Sequence, residues 1–582
     1  MISGGVSFNF VQDYWFAQFL HKLRPSFSLP SRTTLTDNYM VQLYADAVKE
    51  RDEILSKIDC CTVLWDGWTD SSHNSIYGMM VLHGSDNQSE LIDIVNLSME
   101  RHTATNMVNI VSDLWERSAL KLSAIKCLVT NSPNVMLKFR REIKQVYQHI
   151  ITLPCALHVA NTLCKDICKV RSVSEIVKAN CSIVNFFTAS HLWFAQANKW
   201  AKENMDHCYS FKALCESRWY SMTKVCMSVS YYQEFLLQAI KNQGTSDLYP
   251  KMKEQVIMSI TERHFLDNKD LVKIMSPLAD LIGNLEKAST TLADIYVQFI
   301  KLHVYYKNMS LDLFYRNAFV GEAQKLLSKR SRQYFNDPIY AIVLFLVPMH
   351  RDFAVSKNFS FDFIKKNIIE IAIKWKWSKS ECITLNQEMA KYSSFLFSQA
   401  HLKMKPGSFW SSTHHFSEPT RRFCDYVFKL KGQAAPVETV FSTLSYIKPK
   451  IRNRLKSENL KIIGTIRRSL RRQIPTTFRN KRKVRETDGV ESYEEETLKD
   501  LGLEDESEQV DLCDMFEAIV NEVDDTLLEE EESVHVNYFE EMFDMTLFES
   551  CESTSTSQQN DTENNIEDGG ENDFTVDDIL NL

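Results

Sequence analysis

Cys61-Thr62-Val63-Leu64-Trp65-Asp66-Gly67-Trp68-Thr69-Asp70 is a short apolar run that ends in acids, and it marks where the chain changes its period. Before it, residues 1–58 read as helical. An entry loop at Leu29-Pro30-Ser31-Arg32 leads into a stretch with Tyr39, Val41, Leu43, Val48 and Ile54 among its apolar members. After it, 75–82 is a second apolar run and 91–97 alternates apolar with polar. Turn signals at Asp70-Ser71-Ser72 and Gly84-Ser85-Asp86-Asn87 make the three runs an antiparallel meander. A helix over 103–120, a strand over 125–129, a helix over 135–147 and a strand over 149–153 follow. Strands that pair first by hairpins and then alternate with helices predict an α+β fold, a mixed sheet with helices packed on it.

From Ala156 to about Met404 the periodicity is helical almost throughout, too long for one crossover, so the sheet is interrupted or followed by a large all-α block. The predicted organisation is a helical region over 1–58, the first part of the sheet core over 59–170, the all-α insertion over 171–404, and the rest of the core over 405–473. A basic linker follows over 474–485, and then an acidic tail over 486–582 whose composition predicts disorder.

Length and charge narrow the function classes. The 582 residues, 44% of them hydrophobic, suffice for several cores. No apolar run reaches the length of a membrane span, so no membrane partner is expected, and the 14 cysteines are scattered as reduced thiols would be. The net charge of −9 hides a division: residues 486–582 hold 34 acidic residues and one basic, Lys499. Residues 1–485 are left near +24, the balance of a nucleic-acid-binding body.

Three segments are placed to carry chemistry. Asp66 ends the first predicted strand, where a carboxylate can reach a metal ion, although an acid there is also an ordinary turn former. Cys127-Leu128-Val129-Thr130-Asn131-Ser132-Pro133-Asn134 is another strand end, followed by a helix with Pro133 near its first turn. The third is Ala434-Ala435-Pro436-Val437-Glu438-Thr439-Val440-Phe441, which runs on into Lys450-Ile451-Arg452-Asn453-Arg454-Leu455.

Together with Pro154-Cys155-Ala156-Leu157-His158 and Ser217-Arg218-Trp219, these segments follow the order and approximate spacing of the sequence blocks of hAT-superfamily DNA transposases, and the chain resembles that family over roughly 5–470. The resemblance implies a ribonuclease H-like fold in which three carboxylates hold two divalent metals, usually magnesium, for in-line attack on a phosphodiester. Carried across, the carboxylate positions are Asp66, Asn131 and Glu438, and the middle one is an amide. Mg²⁺ relies on carboxylates to hold it against its water shell, so only Asp66 and Glu438 remain as metal ligands and the site is expected to be weak or lost. Milder readings are that Asn131 deamidates or is a variant, or that neighbouring Asp70 supplies the missing charge. No cofactor is expected, with Mg²⁺ the exception if the site functions.

In the family, Cys155 and His158 are internal supports of the active site, and Arg218 and Trp219 belong to it, the tryptophan stacking on DNA. A zinc reading of Cys155, His158, Cys164 and Cys168 has the spacing of no usual zinc module and lies on a predicted helix. The family's amino-terminal BED finger has no counterpart before Asp66. The resemblance therefore implies a nuclear, transposase-like protein that binds DNA non-specifically, dimerises through its C-terminal block and is catalytically inactive. The alternatives are an active or decayed cut-and-paste transposase, or an interaction scaffold built on the dimer block and the tail.

Fifteen Lys or Arg lie between 448 and 485. Arg471, Arg472, Lys481, Arg482, Lys483 and Arg485 suit phosphate contacts or nuclear import. Val440, Leu444, Ile447, Leu455, Leu460, Ile463 and Ile466 form an apolar face that in the family serves core and dimer interface. In the tail, aromatic and aliphatic residues alternate with carboxylates, as in Phe539-Glu540-Glu541-Met542-Phe543-Asp544. Such a segment either folds against a protein partner or shields the basic body by folding back on it.

Overall fold

The computed structural model describes residues 1–70, 72–84, 88–131, 134–205, 211, 221–287, 289–309, 317–448, 456–473 and 537–556. Two helices, α1 (Tyr14–Leu23) and α2 (Met40–Leu55), precede the sheet. The sheet comprises β1 (Cys61–Thr69), β2 (Ser75–His83) and β3 (Gln88–Asn96), then α3 (Ala104–Arg117), β4 (Ile125–Thr130), α4 (Asn134–Val146) and β5 (Ile151–Pro154), which leads into α5 (Ala156–Lys169). Among the described residues these strands form one sheet in the order β3-β2-β1-β4-β5, with β1, β2 and β3 antiparallel and β4 and β5 parallel to β1. It is the mixed α+β arrangement expected from the meander followed by strand–helix alternation.

The burial of β1 explains its central place. Cys61 through Asp66 are all buried, as in a strand covered on both faces. Alternation divides its side chains between two cores. Val63 and Trp65 join Leu128, Met107 and Val111 of α3, and Phe139 and Ile143 of α4. Leu64 joins Cys127, Val129, Leu153 and the large all-α core. By the same alternation Asp66, two residues after Leu64, and Asn131, two after Val129, belong to this second face.

The first strand runs on past its expected end. β1 continues through Asp66 to Thr69, paired residue by residue with β2, because Gly67 lies under the ring of Tyr77 and Trp68 stacks on Phe441 with ring centres 4.5 Å apart. A Cβ on Gly67 would come within 2.7 Å of the Tyr77 ring. Asp66 is therefore a strand residue, opposite Gly78.

Beyond α5 the chain is helical, with a core rich in buried Tyr296, Tyr306, Tyr334, Tyr340 and Tyr392. Among the described residues no helix is long and apolar enough to cross a membrane. The chain then returns to the sheet through a segment outside helix and strand over 430–434. Lys431 N–H donates to Thr62 Oγ1 at 3.0 Å, Ala156 N–H donates to Gly432 O at 2.8 Å, and Ala434 N–H donates to Cys155 Sγ at 3.3 Å. A Cβ on Gly432 would come within 2.7 Å of a terminal methyl of Leu292 and 2.8 Å of one of Ile295, so both side chains would have to shift.

Two further helices close the second face, a site helix (Ala435–Ile447) and a clamp helix (Ser457–Arg472). The clamp helix lies on β3 and α2, with Gly464 against Leu91 and Lys461 paired with Asp93 at 2.8 Å.

The acidic tail departs from its expected disorder over 537–556. Helices Tyr538–Met542 and Met545–Thr556 dock on the all-α block and bury Tyr538, Phe539, Phe543, Met545 and Phe548. Phe543 stacks on Phe353 at 4.6 Å, and the Tyr538 hydroxyl donates to Phe335 O at 3.1 Å. Composition misleads here because the receiving surface is basic: Glu541 pairs with Arg332 at 2.7 Å, Glu540 with Lys307 at 3.1 Å and Glu552 with Lys301 at 2.7 Å. Of the two readings of the Phe539–Asp544 motif, folding back on the body describes this segment.

Candidate functional site

The site is assembled at one end of the β1–β4 pair. Parallel pairing sets Trp65 beside Thr130, so the residues that follow, Asp66 still within β1 and Asn131 just past the end of β4, come side by side. Glu438 arrives from the first turn of the site helix, entered through Pro436. Phe441, one turn further along, seats that helix: its ring covers Gly78, where a Cβ would come within 2.8 Å, and stacks on Trp68. Residues 438 and 441 share a helix face, so the packing that seats Phe441 also brings Glu438 toward β1.

The electrostatics record that convergence. Burial, with the charge of Glu438 adding to it, pushes the Asp66 carboxyl up to about 7 against the donation of Gly67 N–H at 2.8 Å. Cys155, wholly buried at the end of β5, has its thiol pushed up to about 12 by burial, then by Glu438 and Asp66. The sheet edge thus brings together Asp66, Glu438, Cys155 and Asn131.

Asn131 is held by its backbone. Its carbonyl accepts from Arg140 Nη1 at 2.7 Å, and the same nitrogen donates to Thr130 Oγ1 at 2.6 Å. The amide oxygen of its side chain, Oδ1, is buried and accepts no hydrogen bond among the described residues. A site for two divalent ions needs negative charge at all three positions to offset repulsion and dehydration of the metals. Two carboxylates and a neutral amide oxygen fall one charge short, so the donor set does not fit a two-metal centre and no catalytic step is assigned to one.

Asp70 does not fill the gap. Burial opposes its charge, but Lys448 Nζ at 2.7 Å, the Asn74 side chain and the N–H groups of Asn74 and Ser72 outweigh it and hold the carboxyl at about 2. Its side chain and that of Lys448 are each only 3% exposed. The pair ties the last residue of the site helix region to the end of β1, which is a structural commitment.

Among the described residues, no group of three or more His, Cys, Asp or Glu side chains is arranged to hold a metal ion. Cys164 and Cys168 are packed in the all-α core, where burial pushes the Cys164 thiol up to about 12. His158 lies half-buried on the first turn of α5.

Comparison with known families bears on the segment that carries the sheet. Residues 30–183 carry a DUF659 domain. The matching family is described as a domain of unknown function. The DUF659 segment spans α2, the whole sheet and α5, and so includes Asp66, Asn131, Cys155 and His158, whereas Glu438 is supplied from outside it. No curated protein matches the chain.

The remaining expected site residues divide. Arg218 and Trp219 lie outside the described residues, as do Lys481, Arg482, Lys483 and Arg485 of the basic linker and Leu455 of the apolar face. Arg472, expected to face phosphate or an import receptor, is instead paired with Glu50 at 3.0 Å and with Glu90, holding the clamp helix to α2 and β3. Arg471 is exposed. Sequence reading missed the buried cations Arg140, Lys431 and Lys448. For Arg140 a signal existed: with Met136, Phe139 and Ile143 it falls on the buried i, i+3, i+4, i+7 stripe of α4.

Proposed function

We propose that this chain is a transposase-derived protein, hAT-like with a ribonuclease H-like core, that associates with DNA in the nucleus and neither cuts nor joins it. The observation that carries the proposal is the convergence of Asp66 and Glu438, electrostatically coupled, beside a third position occupied by Asn131. Further support comes from the β3-β2-β1-β4-β5 order, with the two parallel strands on one side of β1. The DUF659 segment also points this way, since that family occurs in transposase-related proteins.

DNA association rests on the charge of residues 1–485, near +24, and nuclear residence on Arg479-Asn480-Lys481-Arg482-Lys483-Val484-Arg485. Contacts driven by this charge are to phosphates, so affinity falls steeply with salt and changes little with sequence. Fluorescence anisotropy with two short duplexes of unrelated sequence, at low and at physiological salt, tests this. Equal binding to both that weakens on the order of tenfold or more with salt is expected. No binding at low salt refutes the DNA half of the proposal.

A further inference from the structure

The N-terminal helix α1 carries an unpartnered apolar stripe. None of its ten residues is buried, and Trp15, Phe19 and Leu23, spaced i, i+4, i+8, are 76%, 57% and 67% exposed. Tyr14 at 64% widens the stripe, and Phe10 and Phe27 flank it. The arm is nevertheless mounted on the body, because Val11 just before it is buried and Ile2 and Phe8 pack against the main core.

An aromatic side chain carries about 150–250 Å² of surface, so these exposures leave roughly 600–700 Å² of largely apolar area on the arm. A patch of that size on a folded chain marks an interaction surface. Two such arms covering each other would bury on the order of 1,300 Å², within the range of specific interfaces. The apolar face of the C-terminal block is used within the chain, since Leu444, Ile447, Leu460, Ile463 and Ile466 are buried.

Charge selects both the partner and its orientation. Asp13 stands at the N-terminal end of α1, while His21, Lys22 and Arg24 cluster at the other, all of them exposed. A parallel pair of such helices would set Asp13 against Asp13. An antiparallel pair sets Asp13 of each copy against Arg24 of the other, and the same two-fold axis, passing near Phe19, sets Trp15 of each beside Leu23 of the other. Large side chain against smaller, twice over, is the self-complementarity that an isologous interface requires.

We propose that α1 is a self-association surface, at which two copies of this chain pair their Tyr14–Leu23 helices antiparallel about Phe19. This inference is independent of the reading of the carboxylate site. The test is sedimentation equilibrium of the full chain at about 10 µM, where a Kd near 1 µM leaves most chains paired. Wild type is expected to be dimeric, and Phe19→Glu and Trp15→Asp monomeric with unchanged far-ultraviolet circular dichroism, because both side chains are already exposed in a single chain. Asp13→Asn, which retains the oxygen that caps Phe16 N–H, combined with Arg24→Gln should weaken the dimer about three- to tenfold and flatten its salt dependence. Orientation is read by mild oxidation: Trp15→Cys and Leu23→Cys chains should cross-link when mixed, and neither alone. A monomeric wild type, a Phe19→Glu chain that stays dimeric, or cross-linking of Trp15→Cys to itself overturns the proposal.

Discussion

Replacing Asp66 by Asn should stabilise the protein, and by an amount that depends on pH. Asp66 is 8% exposed, and burial, with the Glu438 charge adding to it, raises its pKa from 3.8 to about 7. Between those values the folded chain holds a proton that the unfolded chain has lost, so stability falls as pH rises through the window and is flat above it. At 1.36 kcal/mol per unit, the three-unit window corresponds to about 4 kcal/mol lost by wild type above pH 7 relative to its state below pH 4. Asn cannot ionise, and its Oδ1 still accepts the Gly67 N–H that Asp66 Oδ1 accepts at 2.8 Å. Asp66→Asn should therefore exceed wild type in stability by about 1–2 kcal/mol at about pH 5 and about 4 kcal/mol at about pH 8. Thermal unfolding of both proteins across that range reads the difference as a gap in midpoint that widens with pH. A gap independent of pH would mean that Asp66 ionises like a solvent-exposed carboxylate, and the buried pairing with Glu438 would be wrong.

Breaking the Lys448–Asp70 pair with Lys448→Met removes the cation beside a buried carboxylate, which keeps only its Asn74 and Ser72 donors, and should cost about 3 kcal/mol at neutral pH. Asp70 is held below its unfolded value of 3.8, at about 2, so its contribution is present above pH 4 and is lost as pH falls through 2. The penalty of Lys448→Met should accordingly shrink in acid, and a penalty that persists unchanged argues against the pair. In the docked tail segment, Phe543→Ala removes a wholly buried ring stacked on Phe353 and should destabilise by about 3–5 kcal/mol. Limited proteolysis should then cut within 537–556 well before it cuts wild type; equal rates would show the docking to be dispensable.

Much of the fold is legible from local pattern, because β1, β4 and β5 are short apolar runs and α4 repeats its buried positions at helical spacing. The length of β1 is not, since what extends it through Asp66 to Thr69 is the fit of Tyr77 over Gly67 and of Phe441 against Trp68, contacts remote in sequence. For the same reason the meeting of Asp66 with Glu438 follows from family resemblance and not from spacing. The tail escapes composition-based reasoning because its carboxylates meet Arg332, Lys307 and Lys301, cations that lie far away in the chain and offset the charge that would otherwise keep Phe539 and Phe543 in water. In α1 periodicity reveals the helix, whereas the exposure of Trp15 and Phe19 emerges only once the body they do not touch is in view.

The claim that a missing charge at position 131 silences a nuclease-like site is tested most directly by comparing wild type with Asn131→Asp, each with an Asp66→Ala control. The readouts are Mn²⁺ titration and cleavage of short duplexes in Mg²⁺ or Mn²⁺. The expected result is no cleavage and no saturable metal binding by wild type, and metal binding by Asn131→Asp that disappears when Asp66 is also removed, as a site built from three carboxylates requires. Metal-dependent cleavage by wild type that is abolished by Asp66→Ala would contradict the account, because an amide at position 131 would then suffice for the chemistry.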